Sequence, residues 1–199
     1  MALQRSWGSP ALEQLSNAIM PLVCLLKRNM CVRAYLDIET TMAGGISIIG
    51  IYRPDRGTIQ LIGGGVHDLA LFEALEDIET LVTFNGNSFD LPVIRKRLFV
   101  DLKQEFNHCD LMMVCRHHGL RGGLKRIEEY LGIGRVTAGI SGWDAPRLWR
   151  RYEAYDDQRA LQALLEYNRE DVINLAILEE RIGLCAAQEP NHSIRHIYT

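Results

Sequence analysis

No apolar run in the chain approaches the roughly 20 residues that cross a bilayer, so no membrane-spanning helix is expected. Nor does a basic segment lead into an unbroken apolar stretch with a small-residue cleavage site. The nearest candidate, Ala18 to Leu26, is short and follows polar and acidic residues, so secretion is not expected either. There is no Cys-x-x-Cys. The five cysteines, at 24, 31, 109, 115 and 185, are odd in number and lack zinc-site spacing. They read as reduced thiols of a cytoplasmic protein. Internal repeats and low-complexity segments are missing. Net charge is small as well: 22 Lys/Arg against 25 Asp/Glu leave −3, which on the total alone argues against a strongly basic polyanion binder.

What is present is ordinary globular material. The 199 residues are 47% hydrophobic and 24% charged, within the range of folded domains. A chain of this length buries about 70% of its unfolded surface without help from disulfides or structural metal. The charge, however, is unevenly spread. Arg116 to Arg151 carries eight Lys/Arg and three Asp/Glu, a net +5 that leaves the remainder at −8. A metal-dependent enzyme acting on a polyanion would look like this, and so would a solvated helical face.

Patterning divides the chain into an N-terminal helical extension (1–31, with a helix from Leu12 to Arg28), a main domain (32–184) and a polar tail (185–199). Val32–Ile38, Gly44–Arg53 and Thr58–Ile62 have strand composition, and their short connections, including Pro54-Asp-Arg-Gly57, predict antiparallel hairpins. After Gly63-Gly-Gly65 the period changes. A helix through Leu69–Ile78, a strand at Thr80–Phe84, a helix from Ser88 to Phe99 and a weak strand at Phe106–Cys109 follow. The rest reads as helical: Leu111–His117, Leu124–Leu131, Ala145–Tyr155 and Asp157–Ile182, the last closed by Gly183. The expected fold is α/β, a mixed five-stranded sheet, three strands antiparallel and then parallel ones, flanked by helices. The order matches the ribonuclease-H-like arrangement, though other α/β folds would also accommodate it.

Acids stand out against this frame. Asp37 and Glu39 are two apart at a strand end and therefore share a face. Side by side they repel, and a divalent cation relieves that; a fraying end with solvated acids is the plainer alternative. Asp90 sits where a helix begins, which a carboxylate favours in any case. Asp171 falls on the shoulder of the Leu161/Leu164/Leu165/Val172/Leu175/Leu178 stripe, while Glu170 is expected to face solvent. A carboxylate against leucines needs a counter-charge, yet no basic residue lies three or four positions away; a shared metal ion would supply it. All-oxygen ligands favour Mg2+ or Mn2+.

Three segments carry a resemblance. Asp37-Ile-Glu39-Thr40, Phe84-Asn85-Gly-Asn87-Ser-Phe89-Asp90-Leu-Pro92 and Tyr167-Asn-Arg-Glu-Asp171 are similar to the three motifs of the DEDD exonuclease superfamily. Tyr-x3-Asp in the third resembles the DEDDy branch, to which ribonuclease D and the proofreading domain of family B DNA polymerases belong. Leu124-Lys-Arg-Ile-Glu128, Leu131-Gly-Ile133, Ile140-Ser-Gly142, Pro146 and Tyr152 make the chain most similar to stand-alone YprB-type ribonuclease-H-like domains, over about residues 32 to 184.

The resemblance implies a metal-dependent 3′–5′ exonuclease that hydrolyses phosphodiester bonds at a single-stranded 3′ end, DNA or RNA, with two divalent cations. By motif position Asp37, Glu39, Asp90 and Asp171 would hold the metals and Tyr167 would orient the attacking water. Thr40, Asn85, Asn87 and Phe89, with Arg121 and Lys125 from the basic segment, are the expected substrate contacts. A non-catalytic or structure-specific nucleic-acid-binding module on the same fold is the alternative. No membrane association is expected, and the sequence names no protein partner. Trp143 and Trp149 are expected chiefly in the core, and His192/His196 in the tail are not expected to bind metal.

Overall fold

The structure, a computed structural model, describes residues 32–137 and 139–188, with backbone alone beyond 183. The expected N-terminal helix and extension, and the tail from 189 with His192 and His196, lie outside the described residues. Strands β1 (Arg33–Thr40), β2 (Ile46–Arg53), β3 (Gly57–Ile62), β4 (Thr80–Thr83) and β5 (Asn107–Asp110) form one sheet in the order β3-β2-β1-β4-β5. The β1–β2 and β2–β3 pairs are antiparallel; β1–β4 and β4–β5 are parallel. This is the mixed sheet the sequence predicts, in ribonuclease-H-like order.

Helices α1 (Asp68–Ala74), α2 (Asp90–Leu98), α3 (Leu102–Glu105), α4 (Leu111–His117), α5 (Leu124–Tyr130), α6 (Ala145–Tyr155) and α7 (Gln158–Gln188) surround it. The one-turn α3 is not anticipated by the sequence pattern. Nor does Gly183 end the last helix: α7 continues through it to Gln188. Glycine in a helix costs only about 1 kcal/mol relative to alanine, and Ile182 beside it is buried in the core.

β2 runs Ile46-Ser-Ile-Ile-Gly-Ile-Tyr-Arg, and Ile48, Ile49 and Ile51 have no exposure, so both faces of this strand are covered. On one side α7 supplies Leu175, Leu178 and Ile182 to a core with Tyr35 and Val82, and Leu161 and Leu164 to a second with Ile48 and Trp149. Trp149 is thus a core residue, as expected, whereas Trp143 is 87% exposed.

Asp37 of β1, Gly50 of β2 and Gln60 of β3 form one row across the sheet. Asn168 of α7 lies on that row. It accepts from Gln60 Nε2 (3.0 Å) and donates through Nδ2 to Asp37 Oδ2 (3.1 Å). The approach is possible because residue 50 has no side chain: a Cβ there would meet Asn168 Oδ1 at 2.2 Å. Gly50→Ala should therefore destabilise the protein by about 1–3 kcal/mol, the usual cost of overpacking. Thermal denaturation in the absence of metal reads this directly; an unchanged melting temperature would mean Asn168 does not need that space.

Candidate active site

The site forms where the parallel part of the sheet begins. Beyond Tyr35, which pairs with Val82, the β1–β4 pairing ends and β1 runs on without a strand on that side. The Ile38 N–H then donates to Asp90 Oδ1 (3.1 Å), so the start of α2 is tied between Asp37 and Glu39. The pairing of β1 with β2 shifts register between Glu39 and Thr40, an irregularity of the kind that re-aims side chains beside functional sites. The turn into α2 has its own anchor. Asp110, at the end of β5, caps α4 at Met112 N (3.1 Å). It also accepts from Asn85 N (2.8 Å) and Asn87 N (3.1 Å). Asn85 has φ +63°, a left-handed conformation that asparagine tolerates better than most residues.

Carboxylate oxygens of Asp37, Glu39 and Asp171 lie within 4.8 Å of one another. Asp90 is adjacent rather than part of this trio, with one oxygen committed to Ile38 N. Burial raises all four acids above the ordinary carboxylate range. Asp171 and other acids add to the rise at Asp37 and Glu39, while Asp90 is pushed to about 7. Glu39 Oε1 is buried without a hydrogen-bond partner. An all-oxygen trio with one orphaned buried oxygen fits a hard divalent cation.

Two further charges complete the site. Arg135, in the loop after α5, pairs with Glu128 of α5 (Nη2–Oε1 2.8 Å) and with Asp171 Oδ1. The counter-charge of Asp171 is thus an arginine 36 positions away in sequence, which helical spacing could not reveal. Lys125 Nζ donates to Ile140 O and stands 4.5 Å over the centroid of the Tyr167 ring. Nearby Glu170 is buried, contrary to its expected place in solvent. It accepts from Thr137 N (3.1 Å), Thr137 Oγ1 and Val136 N. Burial alone would raise its pKa, but these hydrogen bonds outweigh it and hold the carboxyl low. Adjacent α7 acids therefore bind the same loop, one through backbone and one through Arg135.

Tyr167 is 6% exposed beside these groups. Burial and then Asp171, Glu39 and Asp37 push its hydroxyl well above the ordinary phenol value, so it remains protonated. Two cavities open here and share Asp37, Gly142, Tyr167 and Asp171 as floor. The smaller, about 200 Å3, adds Glu39, Thr40 and the exposed Phe89; the larger, about 480 Å3, adds Phe84, Lys125, Arg126 and Trp143. Asn85 and Asn87 lie on the Asp110-tied turn instead, and Arg121 lines a separate hollow. Sequence reasoning missed Arg135, Glu128 and Asp110. Only Asp110 carried a local signal, an Asp directly before a helix.

Two outcomes follow for the cation-free protein. Between the ordinary 3.8 and about 7, folded Asp90 holds a proton that the unfolded chain has released. Stability should therefore fall as pH rises through that window. Asp55 and Glu166, lowered by hydrogen bonds to arginine, act below their ordinary 3.8 and 4.5, while His108, lowered by burial, opposes the decline just below 6.5. Asp37, Glu39 and Asp171, also raised, add to the decline, so melting temperatures in chelator should fall from pH 4.5 to 7.5 and Asp90→Asn should lessen the slope without removing it; an unchanged slope would remove Asp90 as a contributor. Arg135→Ala leaves Glu128 and Asp171 buried without their cation and should cost about 3 kcal/mol in chelator. Mn2+ should restore part of that loss in a denaturant titration.

Comparison with known proteins agrees with this architecture. Residues 34–183 match the sequence profile of the RNase_H superfamily. The chain is 32% identical over 166 residues to a Bacillus subtilis (strain 168) protein named "Uncharacterized protein YprB"; the match covers 72% of this chain and 40% of that protein's length. The family B DNA polymerase of the hyperthermophilic archaeon Pyrobaculum calidifontis superposes with a TM-score of 0.57 at 15% identity, over 74% of this chain and 24% of the polymerase. The exonuclease domain of EXD2, from crystals soaked in Mn and GMP, aligns over 92% of this chain and 93% of its own, at 18% identity. Its TM-score of 0.34 is too low to bear on the fold. With the profile running across nearly all of the described sheet and helices, the chain belongs to the RNase_H superfamily.

Proposed function

We propose that the chain is a metal-dependent 3′–5′ exonuclease of the DEDDy type, hydrolysing phosphodiester bonds at a single-stranded 3′ end of DNA or RNA. The observation that carries this reading is the convergence of Asp37, Glu39 and Asp171 oxygens within 4.8 Å beside buried Tyr167, with Glu39 Oε1 orphaned. The order of the three motifs supports the 3′–5′ polarity. A cytoplasmic setting belongs to the same proposal and rests on the cysteine pattern.

In this reading Asp37, Glu39 and Asp171, with Asp90 beside them, hold two Mg2+ or Mn2+ ions. When bound, the ions make water a better nucleophile at neutral pH and stabilise the leaving oxygen. Tyr167 acts by position: a phenol held protonated by burial and by three neighbouring carboxylates is no base, but its hydroxyl can orient water or phosphate. Lys125 gives the substrate phosphate a positive charge from above the Tyr167 ring. Phe89, 45% exposed, offers a face to the terminal base, and Thr40 borders the same cavity. Asn85, Asn87 and Arg121 contact the strand farther out.

The second reading, a non-catalytic binding module, is favoured by one observation: Arg135 already supplies a cation to Asp171. Digestion separates the readings. With Mn2+, unblocked 5′-labelled single strands should yield mononucleotides, while 3′-blocked strands, circles and chelator-treated samples should not. Asp37→Ala should lose both turnover and the Mn2+-induced rise in melting temperature. Tyr167→Phe should keep that rise and lose turnover on the order of 10²-fold, the scale of a positioning defect. Full turnover in Tyr167→Phe would sink its role. A wild-type protein inert on every strand would leave the binding module, and cleavage of circles would make the enzyme an endonuclease.

A further inference from the structure

Part of the +5 segment lines two adjoining hollows in the fold. The larger cavity at the acids and a third hollow of about 320 Å3 share Arg126. That hollow adds His118, Arg121 and Tyr130. Arg126 and Tyr130 are four residues apart and so share one face of α5. Arg121, Arg126 and Tyr130 are exposed, Tyr130 by 77%, and neither arginine has an ion-pair partner among the described residues.

Trp143 stands where this surface meets the acids, and its exposure is built rather than incidental. A turn closes around it: Asp144 N donates to Ser141 O (2.8 Å), and Asp144 Oδ2 accepts from Ser141 N (3.0 Å) and Ser141 Oγ (2.6 Å). The indole is 87% exposed while the turn beneath it is held by three hydrogen bonds. An aromatic held out in water on the same cavity as Arg126, which has no ion-pair partner among the described residues, is what a base-stacking platform on a phosphate track requires.

We propose that Trp143, Arg126, Arg121 and Tyr130 form the track along which a single-stranded nucleic acid leaves the acidic cluster, with unpaired bases stacked on Trp143 and Tyr130 and phosphates on the two arginines. The proposal rests on the nuclease reading for its direction, from the terminal nucleotide outward. Duplex is disfavoured, because bases stacked between neighbouring pairs have no free face for Trp143. The rival basic groove, lined by Arg95, Lys96 and Lys103, shares no residue with the acidic cavities, and its Arg95 is paired with Asp101 (3.5 Å).

Fluorescence anisotropy with the full chain in chelator, where no metal-dependent cleavage occurs, tests this with 15-nucleotide oligo-dT, 15-nucleotide oligo-U and a 15-base-pair duplex. Both single strands should bind better than duplex, and the ratio of their affinities reports which sugar is preferred. Trp143→Ala should weaken single-strand binding about tenfold. The Arg121→Ala/Arg126→Ala double variant should lower the slope of log affinity against log salt by about 1.4, at ~0.7 per phosphate contact. Affinities and slopes unchanged in both variants, or lost instead in Arg95→Ala/Lys96→Ala, overturn the track. Its failure is distinct from that of the nuclease reading: hydrolysis with Mn2+ by a protein whose binding ignores these residues sinks the track alone. Strand binding through them without any hydrolysis sinks the nuclease alone.

Discussion

Four carboxylates packed at the end of one core strand repel each other, and the surrounding structure is organised around balancing them. In the cation-free protein Arg135 balances Asp171, which shares it with Glu128, and the charge of Lys125 acts on Glu39. The Arg135 guanidinium is held there by the loop that follows α5, and that loop is fastened to α7 by Glu170 through the Val136 and Thr137 amides. Asn168 steadies Asp37 from the same helix. A 31-residue helix is therefore both the principal cover of the sheet and the beam to which the site is bolted. Burial makes these charges costly, and the same burial makes each remaining contact strong.

The other half of the site depends on where the sheet changes from antiparallel to parallel. Because the β1–β4 pairing ends while β1 continues, one β1 amide is left for Asp90, and Asp110 fastens the intervening turn from the end of β5. Ligand sites in α/β sheets commonly occupy such an opening at the carboxyl ends of strands. Here the backbone that would otherwise complete a ladder holds a carboxylate in place.

What could be read from the sequence follows from the range of the interactions. The three antiparallel strands were legible because their hairpins are local and the isoleucine-rich run of β2 marks a buried strand, whereas the place of β4 and β5 beside β1 rests on long-range parallel pairing. Asp37 and Glu39 were legible because strand geometry alone puts them on one face. Arg135 was not, since its partners lie 7 and 36 residues away and a helical projection sees neither. Glu170 was misjudged for the same reason: the projection knows which side of α7 faces the sheet, but not that a loop returns to cover the other. The two tryptophans, six residues apart, had opposite fates, one in the core and one on a turn. Composition could not separate them, whereas the Ser141–Asp144 turn does.

One small detail reaches further. The contact between Asn168 and Asp37 exists only because β2 carries hydrogen where a methyl would sit. Positions 50 and 168 are therefore not independent in descent. A lineage that acquires any side chain at 50 must first shorten or turn away the residue at 168, and a lineage that loses the amide at 168 frees 50 to vary. In related chains the two should change together, although they are 118 positions apart and belong to different elements.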